Sequence, residues 1–156
     1  MDIAHALGFP ESALEQMERQ FQLRAQELGL PVGGKRRLVN THDALLLTEW
    51  TREAAPGALP RLIAAVYHAY FAEAANLTEE AVLRDICLKA ELPADEALAQ
   101  MRDPEYEKRL AASMDRARAF GITATPTFLF ENGERITGAL PYEVFVQALR
   151  EFASRS

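Results

Sequence analysis

Apolar residues recur at steps of three and four through most of this chain, a spacing that predicts one amphipathic helix after another. Across residues 11–28 the stripe is Leu14, Met17, Phe21, Ala25 and Leu28. Gly29 follows as a residue able to take the left-handed cap conformation, and a loop rich in Gly and Pro continues to Gly34. Asn40 or Thr41 is placed to cap a second helix bearing Leu45, Leu46, Leu47 and Trp50, which Pro56-Gly57 ends. A third helix starts near Pro60, a residue suited to a first helical turn. Its Leu62, Ile63, Val66, Tyr67, Tyr70 and Phe71 are too many for one narrow stripe, which predicts a central helix. Thr78 is the expected cap of a fourth helix, with Leu77 and Val82 placed to close a hydrophobic staple. That helix runs to about Ala90 and turns Leu83, Ile86 and Cys87 inward. A short helix near residues 95–101 comes next, then Asp103-Pro104 opens a long one ending at Phe120.

The pattern changes after Gly121. Residues 127–131 are β-branched or aromatic at most positions, and Asn132-Gly133 separates them from residues 134–137. A two-residue Asn-Gly loop between such runs predicts a β-hairpin. Leu140-Pro141 then opens a last helix carrying Phe145, Leu149 and Phe152. The order is helices first, then strand, strand, helix: an α+β chain, mostly helical, divided into residues 1–120 and 121–156.

Composition narrows the classes. Hydrophobic residues at 49% and charged residues at 26% of 156 give enough apolar material for a core without disulfides or metals. A net charge of −6 argues against nucleic acid or an anionic membrane surface as partner. Lys35-Arg36-Arg37, the one basic run, is too short for an extended patch and reads as a solvated loop. No apolar stretch is long enough to span a membrane, and the N-terminus lacks the pattern of a signal peptide. Cys87 stands alone and forms no internal disulfide, which fits a reducing compartment; a soluble cytoplasmic protein is expected.

Candidate chemistry is sparse. His5, His42 and His68 show no metal-ligand spacing, so no metal and no cofactor is expected. Glu79-Glu80 and Asp95-Glu96 fall in first helical turns, where acids favour the helix dipole. Gly33-Gly34 precedes a basic loop rather than a helix following a strand, so it is no phosphate loop.

The segment from Gly121 to Phe130, with Thr125-Pro126 inside it, resembles the lead into the third strand of thioredoxin-fold proteins. Asn132-Gly133, Ile136 through Pro141 and Phe145 are similar to the hairpin and last helix of the DsbA family. Asn40 through Ala44, Tyr70-Phe71, Asn76-Leu77 and Val82-Leu83 resemble that family's FrnE branch. The resemblance implies a DsbA-type helical insertion domain followed by the C-terminal strand–strand–helix half of a thioredoxin fold. It also implies a chain beginning inside the insertion, without the strand–helix–strand unit and its Cys-x-x-Cys. Thr125 and Pro126 are the implied substrate-binding residues, in a loop where the X-Pro bond is cis; a turn proline opening a strand is the alternative. No catalytic residue is assigned. The implied activity is thiol–disulfide oxidoreductase by family, inactive in this chain alone, acting on a peptide or protein thiol substrate. A redox-dead peptide- or partner-binding module is the alternative, followed by the glutathione-dependent isomerase and kappa-class transferase branch. With its N-terminal neighbour absent, the strand after Pro126 has an open edge, which predicts a homodimer through that edge.

Overall fold

The computed structural model describes residues 10–33 and 39–153. His5, the Lys35-Arg36-Arg37 run and the side chain of Leu14 lie outside the described residues. Helices come first: α1 (Glu11–Glu27), α2 (His42–Ala54), a 3-10 turn (Pro56–Ala58), α3 (Leu59–Tyr67), a π-turn (His68–Ala72), α4 (Glu80–Lys89), α5 (Ala94–Gln100) and α6 (Pro104–Ala119). Strands β1 (Thr127–Leu129) and β2 (Arg135–Thr137) and helix α7 (Tyr142–Ala153) follow. The chain forms two compact units that meet within α6, one ending at Leu110 and the other starting at Ala111. Among the described residues no helix is long and apolar enough to cross a membrane.

The first unit is built on a core from α2 to α6. Leu46, Leu47 and Trp50 of α2 join Leu62 and Ala65 of α3, Leu83, Ile86 and Cys87 of α4, and Met101 after α5. Helical geometry turns Leu45 outward while its two neighbours go in. Acid and amide side chains set the starts of three helices. Asn40 Oδ1 accepts the His42 N–H at 2.9 Å, and Asp103 Oδ1 accepts the Glu105 N–H at 2.8 Å. Asn76 Oδ1 takes both the backbone N–H and the hydroxyl of Thr78, at 3.3 and 2.9 Å. Each side chain folds the backbone two residues on, ahead of the helix. Thr78 is therefore not the cap of α4. Glu79 holds that position with no capping side-chain bond, its carboxylate accepting instead from the Asn76 amide at 3.0 Å.

Two apolar stripes are less covered than their spacing suggests. Among the described side chains of α1 only Ala25 is buried, while Met17 and, just past the helix, Leu28 are more than half exposed. On α3 Leu62 and Ala65 face the core, but Ile63 and Tyr67 turn away from it. The helix is nonetheless central, as its two apolar faces suggest: α3 packs against α2, α4 and the turns on either side of it. It leads into the π-turn, where the Glu73 N–H reaches back five residues to the His68 carbonyl at 3.2 Å. Phe71 there stacks on Phe21 of α1, with ring centroids 5.6 Å apart.

Gly33 ties the loop after α1 to this turn by donating its N–H to the Phe71 carbonyl at 2.9 Å. A Cβ at Gly33 would run into the Ala72 carbonyl, which is backbone and cannot swing aside. Gly33→Ala is therefore expected to destabilise the first unit by about 1–3 kcal/mol, as overpacking does. Urea unfolding followed by circular dichroism measures it, and an unchanged midpoint would show that the loop simply lifts away.

In the second unit β1 and β2 pair antiparallel, with Phe128 opposite Ile136 and Leu129 opposite Arg135. The turn is not the expected two-residue loop. Gly133 donates to the Phe130 carbonyl and Phe130 to the Glu134 carbonyl, both at 2.9 Å, which leaves residues 131–133 as a three-residue loop. Gly133 takes φ +83°, the position at which such a loop needs glycine. Asn132 still matters, since its Oδ1 accepts the Glu134 N–H at 3.0 Å. Helix α7 covers one face of the hairpin: Phe145 meets Phe128 edge-on at 4.7 Å, and Phe152 meets Phe130 at 5.0 Å. On that face Ile136 is buried, whereas Leu129 on the other is nearly half exposed.

Candidate functional site

The end of α6 fixes where the loop before β1 begins. Gly121, at φ +66°, donates to the Arg118 carbonyl at 2.9 Å, and Ile122 donates to that of Ala117 at 3.0 Å. These paired bonds form a Schellman cap, for which a glycine in the left-handed region is suited. Arg135 of β2 then donates through Nη1 to the Phe120 and Gly121 carbonyls, at 3.2 and 3.3 Å. One cation holds the helix end, where the carbonyl dipoles favour positive charge.

Beyond this anchor the loop is pinned at its far end. The Pro126 carbonyl accepts the Gly138 N–H at 2.8 Å, which extends the hairpin ladder by one bond. The Thr127 hydroxyl donates back to the Ala124 carbonyl at 2.7 Å. Between the pins the Thr125–Pro126 peptide is cis. Ala124, Thr125 and Pro126 are all exposed, so the two sequence-assigned site residues sit together on a held, solvent-facing loop. The ladder uses Pro126, Phe128 and Phe130. In an antiparallel pair the alternate residues, Thr127 and Leu129, direct their backbone groups to the other edge of β1. The same unit exposes Phe120, Leu129, Leu140 and Tyr142.

Cys87 belongs to the other unit, on the core face of α4, with none of its surface open to water. Burial pushes its thiol up to about 11 from an ordinary 9.0, against a smaller opposing pull from Arg84. A thiol in this setting is a packing group rather than a nucleophile.

The remaining candidates resolve into surface pairs. His42 Nε2 lies 2.8 Å from Glu107, and His68 Nδ1 lies 3.2 Å from Glu73. Glu79 accepts from Asn76, Glu80 pairs with Arg102, and Asp95 pairs with Arg84 at 2.6 Å. Among the described residues no group of three His, Cys, Asp or Glu side chains could hold a metal. Sequence reasoning missed Arg135, because its role depends on carbonyls 14 and 15 residues away. The available signal was an arginine on the outward face of a hairpin directly after a glycine-terminated helix.

Comparison with known proteins adds two findings. A family model described as DSBA-like thioredoxin domain matches residues 5–150. The ClpXP adapter protein SpxH of Shouchella clausii (strain KSM-K16) is 26% identical over 130 residues, covering 78% of this chain and 43% of that protein. The chain thus spans less than half the length of that curated relative.

Proposed function

We propose, from the premise that this chain belongs to the DSBA-like thioredoxin domain family, that it holds peptide or protein chains rather than exchanging disulfides by itself. The family is of thiol–disulfide oxidoreductase type. Exchange needs a thiolate to attack and usually a second thiol to resolve the mixed disulfide. The observation that carries the reading is Cys87, the sole cysteine of the sequence, sealed in the core with its thiol raised to about 11. Thr125 and Pro126 are the proposed contacts for an extended segment, which the adjoining edge of β1 would pair with through backbone hydrogen bonds. A single buried cysteine suits a reducing cytoplasm.

An insulin-reduction assay comparing this chain with Cys87→Ser tests the first half of the proposal. No Cys87-dependent turnover is expected, and turnover well above the uncatalysed rate would overturn it. The second half predicts that a fluorescein-labelled unfolded peptide binds, and that Thr125→Arg on the exposed loop weakens it several-fold.

A second reading is favoured by the relative, a ClpXP adapter protein: the chain presents a partner to an unfoldase rather than binding unfolded segments generally. Saturable binding to ClpX, with none to the peptide, would select it.

The edge of β1 that no strand among the described residues covers further supports a symmetric homodimer joining two hairpins into four strands. Sedimentation at micromolar concentration is expected to give twice the chain mass of 17.4 kDa. A monomer would remove the proposal.

A further inference from the structure

The first unit contains a cavity of about 450 Å³ between α1, the loop after it and the π-turn. Its walls are apolar, with Ala25, Leu28, Leu30 and Val32 on one side and the rings of Phe21, Tyr67 and Phe71 on the other. The rings stand nearly parallel, Phe21 to Phe71 at 29° and Tyr67 to Phe71 at 20°, which makes a smooth wall. The helix departs from α-geometry along the stretch that lines this space, His68 through Ala72. π-turns of this kind are found frequently at functional sites.

The described lining carries basic groups and no carboxylate. Among the described lining residues Arg24 and His68 can carry positive charge, and none is an acid. Arg24 pairs with Glu27 at 2.9 Å and His68 with Glu73 at 3.2 Å, and all four side chains are well exposed. Exposed pairs are weak and exchange readily with another carboxylate. An arginine presents a fork that a carboxylate matches bidentately. A ligand filling this space therefore needs an apolar body and a single acidic end.

We infer that the cavity binds a medium-chain aliphatic monocarboxylate, with its chain against the Phe21–Phe71–Tyr67 wall and its carboxylate at Arg24 and His68. The volume lies toward the lower end of the range for small-molecule sites, about 300–1,000 Å³, which suits one chain of roughly ten carbons and not a two-chain lipid.

Isothermal titration of the full chain with decanoate and with decanol tests this. Decanoate is expected to bind one to one, about tenfold or more tighter than decanol. Arg24→Gln is expected to remove that preference by weakening decanoate to the affinity of decanol. Leu30→Trp, at a site more than half exposed, is expected to block both ligands. Circular dichroism confirms that each variant keeps its fold. Absence of decanoate binding below its micelle concentration would overturn the inference. So would equal affinity for acid and alcohol, or binding that survives Leu30→Trp, either of which would mark nonspecific adsorption to exposed apolar surface.

Discussion

Trp50→Ala is expected to cost the first unit about 3–5 kcal/mol, the usual range for removing a buried aromatic side chain. The indole is 2% exposed and lies in the cluster shared by α2, α3, α4 and α5. Its Nε1–H also donates to Gln100 Oε1 at 3.0 Å, so the same side chain ties α2 to α5 by packing and by a hydrogen bond. Total stabilities of single domains run about 5–15 kcal/mol, so this loss would take a third or more of most of that range. The melting midpoint should fall by more than about 10 °C. Trp50→Phe keeps most of the apolar bulk and loses the N–H, and it should cost about 1–2 kcal/mol. Circular dichroism is the measurement of choice, since the substitution removes the only tryptophan. A loss below about 1 kcal/mol for alanine would mean the core closes over the gap, contrary to close packing.

Cys87 should give the second large effect, at alkaline pH. Its thiol is raised in the folded state from 9.0 to about 11, because burial disfavours the thiolate. The folded chain therefore holds this proton more firmly than the unfolded chain. The resulting stability is fully present below pH 9 and is lost as pH rises through 11, a change of about 2–3 kcal/mol for two pKa units. Burial also raises the Tyr106 hydroxyl, so the raw pH profile mixes groups. The difference between the parent chain and Cys87→Ala isolates the cysteine, and the variant should show a shallower alkaline slope despite its own packing loss. Iodoacetamide at pH 8 should alkylate the native thiol at least about 100-fold more slowly than the urea-unfolded one. Equal rates would place Cys87 at the surface and reopen it as a nucleophile.

Much of the element order was readable because it rests on local signals. Gly29 and Gly121 close α1 and α6 as left-handed caps, and Asp103-Pro104 opens α6. The cis Thr125–Pro126 bond was legible through resemblance to a family motif, not through any chemistry of threonine and proline. What was illegible depends on distant partners. Spacing gives Met17 and Ala25 the same stripe on α1, yet Ala25 is buried and Met17 is more than half exposed. Asn132-Gly133 announces a turn, but whether it closes in two residues or three depends on where Phe130 and Glu134 pair. Thr78 has the side chain of a helix cap, but it sits in the turn set by Asn76, one residue ahead of the cap position. The basic lining of the cavity comes from Arg24 and His68, 44 positions apart and unremarkable in either local context.

The π-turn at His68–Ala72 also sets how the chain tolerates a change in length. A π-turn amounts to one residue more than the α-ladder needs, and each residue of an α-helix advances about 100° around the axis. Deleting one residue inside it would restore ordinary hydrogen bonding without breaking the helix. The wide turn absorbs that extra residue, so after the deletion Tyr70, packed against the core, and Phe71, stacked on Phe21, would keep nearly their directions relative to α3. A single-codon deletion here would therefore be tolerated like one in the solvent-facing turn at residues 131–133, and what it removes is the wide turn along the cavity wall rather than the packing.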